Sequence, residues 1–170
     1  AAAFTPGTAK VWWRNKVEPL STAPVLWQKL KYHGLDGGQK VRGEYLCVPL
    51  SFLADMAEAE YLPSQDTLTA VLILPDGRKL QFARGSIGCV IDDTMRSMYC
   101  EALHRNGELL VSVEWFCRYF LNRTISACND VVYVTDHFAG LSFFMADLIK
   151  DLLDDMAGPQ EWLKHGFREN

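Results

Sequence analysis

The stretch Gly107–Phe138, GELLVSVEWFCRYFLNRTISACNDVVYVTDHF, constrains the fold more than any other part of the chain. Leu109, Val111, Val113 and Trp115 alternate with Leu110, Ser112 and Glu114, the period-2 pattern of a strand, which predicts a strand over Leu109–Tyr119. A second run, Val131-Val132-Tyr133-Val134-Thr135, is short, β-branched and strongly β-prone. Between them lies a polar loop holding Asn122, Arg123, Thr124, Ser126 and Asn129. Two such runs demand a sheet.

Upstream, the same character begins at Thr67. Leu68–Leu74 is apolar and β-branched, Pro75-Asp76-Gly77-Arg78 is a turn by composition, and Lys79–Ala83 returns as its hairpin partner. A further strand is predicted over Ile87–Ile91. With no long helical pattern between these runs, they read as a β-meander and not as βαβ units. Thr94–Arg105 supports two readings. Met95, Met98, Tyr99, Ala102 and Leu103 fit helical spacing, yet Asn106-Gly107 is the strongest two-residue hairpin signal and leads straight into the next strand.

The first 66 residues predict an arm and a helical extension. Val11-Trp12-Trp13 is too apolar to be left in water and predicts docking on the body or a partner. Ser21 or Thr22 can cap a helix over Ala23–His33, stopped by Gly34, and a strand is predicted over Val41–Val48. Ser51 can cap a second helix over Phe52–Tyr61. At the other end, Leu141–Met156 is helical by composition, with Phe144, Leu148 and Leu152 on one stripe, and Gly158-Pro159 ends it before a last turn over Gln160–His165.

Composition narrows the function classes. At 170 residues, with 49% apolar and 22% charged, the chain suits one globular domain, with or without an extension. No apolar run reaches the roughly 18 residues needed to span a bilayer. The N-terminus lacks the basic-then-apolar order of a signal peptide. Five cysteines without close pairing suit a reducing compartment and free thiols. The net charge of −4 is uneven: residues 1–42 carry about +5 and residues 43–170 about −9. An acidic body suits basic peptides, whereas the basic arm predicts at most a weak nucleic-acid contact.

Catalytic patterns are sparse. Cys100 and His104 suit a thiol–imidazole pair only on a helix, since on a strand the same spacing separates them by about 13 Å. There is no C-x-x-C or H-x-x-x-H grouping for a metal and no phosphate-binding glycine loop, so no cofactor or metal is expected.

The order DGRKLQFARGSIGCVIDD, MRSMYCEALHRNGELLVSVEWFCRYF, then NDVVYVTDHFAGLSFFMADLI resembles the bromo-adjacent homology (BAH) domain of chromatin proteins. Val113–Arg118 is similar to that family's V-x-W-F-x-R strand, and Asn129–Phe138 to its N-E-x-F/Y-x-S-D-H-F strand. The flavour is that of the largest origin-recognition subunit and its silencing relative in yeast. The resemblance implies a mainly β (α+β) fold: a partly open BAH-type barrel over residues 67–157, flanking helices, a helical N-terminal extension over 1–66 and a packed tail over 158–170. It tips Thr94–Arg105 toward a strand. It also implies a nuclear, non-catalytic module that holds a histone tail or nucleosome, and possible use in gene silencing or DNA replication.

Several BAH domains hold a methylated lysine in an aromatic cage, each ring contributing about 0.5–2 kcal/mol when desolvated. By resemblance Tyr99 matches the first cage tyrosine and Trp115 the tryptophan; Tyr133, His137 and Phe138 are further ring candidates, with Glu114 or Asp136 as the carboxylate. Cys117 stands where many trimethyl-lysine readers carry another tyrosine. The alternative is a BAH-type protein or nucleosome docking module with no methyl-lysine readout.

Overall fold

The computed structural model describes residues 1–33, 39–128, 130–135 and 143–154. In chain order the strands and helices are β1 (Ala2–Phe4), β2 (Lys10–Trp13), β3 (Lys16–Pro19), β4 (Val25–His33), β5 (Gln39–Pro49), α1 (Leu50–Ala57), β6 (Glu60–Pro63), β7 (Thr69–Ile73), β8 (Lys79–Ala83) and β9 (Gly88–Ile91). They continue with β10 (Thr94–Ser97), β11 (Leu103–Arg105), β12 (Glu108–Ser112), α2 (Val113–Phe116), a π-helical turn over Cys117–Leu121, β13 (Thr124–Cys128), β14 (Val131–Thr135) and α3 (Phe143–Asp154). The chain is mainly β, with antiparallel sheets and a few helices, as expected.

Two compact units divide the chain: residues 1–24 with 117–170, and Val25–Phe116. In the first, one sheet runs β13-β14-β1-β2-β3. β1 is its central strand, pairing Ala2 with Val134 on one side and with Trp13 on the other. The predicted arm is therefore three strands, with Val11 fully buried and Trp12 and Trp13 partly so. α3 buries Ala146, Ile149 and Leu153 with Ala3 and Val131. Of the stripe expected to pack, Phe144 and Leu148 instead face outward at 73% and 50% exposure and Leu152 is partly buried, because the face carrying Ala146, Ile149 and Leu153 is the one that packs.

The second unit holds two sheets. One is the predicted meander, β10-β9-β8-β7-β6; the other runs β11-β12-β5-β4. Its fully buried side chains include Leu46, Leu50, Leu53, Leu72, Leu80, Leu109, Leu110, Trp115 and Phe116. The hairpin reading of Asn106-Gly107 holds: both residues have positive φ, +50° and +74°, as a two-residue type I′ turn requires, and Arg105 pairs with Glu108 across it. Thr94–Arg105 is neither one strand nor one helix, but β10, an irregular stretch, then β11.

Three predicted elements differ. Ala23–His33 is not a helix: Val25–His33 forms β4, paired residue for residue with Gln39–Cys47, and this long antiparallel ladder overrides helix propensity. The helix expected over Phe52–Tyr61 starts two residues earlier, at Leu50, with Pro49 and not Ser51 at its N-cap; it ends at Ala57, where Glu58 turns left-handed (φ +55°) and the Ala59 N–H returns to the Ala54 carbonyl. The strand predicted over Leu109–Tyr119 stops at Ser112. There the Ser112 hydroxyl accepts the Trp115 N–H at 3.2 Å, an N-cap that starts α2 in place of further strand. The polar loop after it contains β13. The predicted turn over Gln160–His165 lies outside the described residues.

Candidate functional site

The β4–β5 ladder places Trp27 directly opposite Tyr45. Alternation along each strand then puts Val25 with Trp27, and Tyr45 with Cys47, on one sheet face. The irregular stretch between β10 and β11 lies over that face. Tyr99 meets Tyr45 with ring centroids 5.2 Å apart and planes tilted by 36°, and Tyr45 meets Trp27 at 5.9 Å and 34°. Glu101, two residues beyond Tyr99, accepts the Trp27 indole N–H on Oε1 at 2.7 Å. Between them Cys100 packs on Cys47 and Leu110 with Val25, Trp27, Tyr45 and Leu103 around it. Trp27, Tyr45, Tyr99 and Glu101 are each half-buried.

Three tilted rings in a row lie beside a carboxylate, at an aromatic corner of the sheet. Ring faces attract cations through their quadrupoles, and a carboxylate beside them is the kind of group that adds to this attraction. Among the described residues no group of three His, Cys, Asp or Glu converges as a metal site. Equally, among them no helix is long and apolar enough to cross a membrane.

Of the expected cage residues that are described, only Tyr99 belongs to this group. Trp115 is 2% exposed on α2, its ring edge-on to Phe82 at 6.3 Å and beside Phe116 at 6.4 Å, so it offers no face to a ligand. This corrects its expected place on a strand, and the Ser112 cap is the cause. Tyr133 is half-buried on β14 in the other unit, with its ring 6.4 Å from that of Trp12. Asp136, His137 and Phe138 lie outside the described residues.

Glu114 has a different task. Its two oxygens accept the Leu46 N–H at 3.0 and 2.9 Å, and Oε1 also accepts the Ser112 hydroxyl at 2.8 Å. Burial pushes its carboxyl above the ordinary range, a shift the Leu46 N–H partly offsets. Glu108 likewise accepts the Ser51 N–H at 2.7 Å. The thiol–imidazole pair does not form: Cys100 Sγ lies against Cys47 Sγ, and His104 Nε2 bonds the Thr67 hydroxyl at 2.9 Å.

Trp27 and Tyr45 escape the sequence reading because the spacing of Ala23–His33 also suits a helix, which separates the two residues. Two signals point to them: the β-prone run Val41–Val48, and the Asp36-Gly37 pair that suits a hairpin linking it back to Val25–His33.

No protein-family model, curated protein or solved structure matches the chain.

Proposed function

We propose that this chain is a non-catalytic, nuclear recognition module of the BAH type that binds a methylated lysine of a histone tail. The observation that carries the reading is the row Trp27–Tyr45–Tyr99 with the Glu101 carboxylate bonded to the end ring. A methylated ammonium keeps its charge, is weakly hydrated and gains from each ring face it meets, which is the chemistry such a row supplies. Trp27, Tyr45 and Tyr99 act as walls. Glu101 neutralises the charge and accepts an N–H from the lower methylation states. The acidic balance of residues 43–170 favours a basic tail.

The test is a titration of the protein against methylated and unmethylated histone-tail peptides, repeated with Trp27→Ala. Loss of one desolvated ring is expected to weaken the methylated complex about tenfold while leaving the unmethylated one unchanged. Equal binding of both peptides by the wild type would sink the reading.

One observation favours a second reading, a protein or nucleosome docking module without methyl readout. The tryptophan that the BAH resemblance assigns to the cage is in the core. On this reading the corner is an aromatic anchor for a partner protein. Methyl-independent peptide binding that Trp27→Ala still weakens would select it.

A further inference from the structure

Cys47 and Cys100 stand with their sulfurs 3.6 Å apart, at 0% and 1% exposure, in a small apolar cluster with Leu110. We propose that they are a redox-modified pair, which hydrogen peroxide closes to a disulfide that fastens Tyr99–Glu101 onto β5. A disulfide holds its sulfurs about 2.05 Å apart, so closure needs an approach of roughly 1.5 Å. Cys47 cannot supply that movement, because it is paired on both sides, to Val25 of β4 and Ser112 of β12. Cys100 can. It belongs to the irregular stretch between β10 and β11, outside any strand ladder.

The two thiols are not equivalent. Contact with the Cys100 thiol, burial, and the nearby Glu114 and Glu101 carboxylates push the Cys47 thiol far above its ordinary range. Cys100, on the stretch outside the strand ladders, is the sulfur that can move to meet peroxide, and it reacts first. Its Sγ attacks one peroxide oxygen, the O–O bond breaks, and a sulfenic acid and one water result. Cys47 Sγ then attacks the Cys100 sulfur, the S–O bond breaks, and the hydroxyl leaves with the Cys47 proton as a second water. Two thiols and one peroxide become one disulfide and two waters, the two sulfurs together giving up two electrons.

Cys100 lies between the two residues that meet Tyr45 and Trp27, so closure acts directly on the aromatic corner. With its middle residue bonded to a central strand, the Tyr99–Glu101 stretch loses freedom, and a ligand then loses less entropy on binding. This last consequence, a rise in affinity of about threefold to tenfold on oxidation, rests on the methyl-lysine reading above.

The experiment treats the whole chain with hydrogen peroxide, alkylates the remaining thiols, and maps disulfide-linked peptides by mass spectrometry. Amide exchange is followed across the peptide containing 98–102. Linkage of Cys47 to Cys100, with exchange there slowed at least tenfold and reversed by dithiothreitol, is the expected result. The Cys100→Ser protein should show neither change, and Cys47→Ala repeats that control. Oxidation of the half-buried Cys128 with no 47–100 link would overturn the proposal, as would a link that leaves exchange at 98–102 unaltered. A linked, protected pair in a protein that binds no methylated peptide would uphold it and sink the ligand reading alone.

Discussion

The Trp27 indole N–H donates to Oε1 of Glu101 at 2.7 Å, joining residues 74 apart in sequence. Glu101→Gln keeps an oxygen to accept this bond and removes only the charge. Stability is expected to change by less than about 1 kcal/mol. On the proposed methyl-lysine reading, affinity for a trimethyl-lysine peptide should fall about fivefold to tenfold, since a paired charge is lost at a partly desolvated site. Calorimetric titration beside a urea melt separates the two effects.

Trp27 and Trp115 should behave oppositely. Trp115 is a core side chain between Phe82 and Phe116, and Trp115→Ala is expected to cost about 3–5 kcal/mol. Trp27→Ala removes a half-buried ring at a sheet edge, with an expected cost of about 1–2 kcal/mol. Denaturation midpoints of the two variants decide this. A Trp115→Ala protein as stable as the wild type would place that ring outside the core.

Glu114 makes stability depend on pH in an unusual direction for a carboxylate. Its folded-state pKa is raised from an ordinary 4.5, so between that value and its raised value the folded chain holds the proton more tightly than the unfolded chain. Its contribution is therefore fully present below about pH 4.5 and declines as pH rises through the folded-state value. Glu114→Gln should flatten this slope, and Glu114→Ala should cost about 1–3 kcal/mol at all pH values by leaving the Leu46 N–H without its acceptor. Urea midpoints measured from pH 4 to 8 test both.

The hairpin turn offers a sharper probe. An added Cβ at Gly107 meets no atom within 4 Å, but φ there is +74°. Gly107→Ala should therefore cost about 1 kcal/mol through backbone strain alone. A cost near zero, read from the shift in denaturation midpoint, would mean that the turn relaxes.

Local chemistry made some of the fold legible. Pro75–Arg78 and Asn106-Gly107 announce their hairpins because turn geometry is dictated within two residues. β4 was not legible, since Ala23–His33 carries acceptable helix spacing and only its partner, Gln39–Cys47, decides the matter. Nor was the end of β12: Ser112 continues an alternating pattern, and only its hydroxyl bond to the Trp115 N–H reveals a cap. The candidate site followed the same rule. Tyr99 enters through the BAH resemblance, whereas Trp27 and Tyr45 become neighbours through a ladder that no single window of sequence contains.

β1 is the middle strand of its sheet, held by β14 on one side and β2 on the other. Ala2–Phe4 leave the ribosome well before Val132–Val134, and thus find their β14 partner only after those residues have been made. Among the described residues, the ladders of Val25–Phe116 close within it, and it is complete by then. Synthesis therefore runs against assembly in this sheet: its N-terminal strands wait for its C-terminal ones, and the unit inserted between them in sequence can fold while they wait.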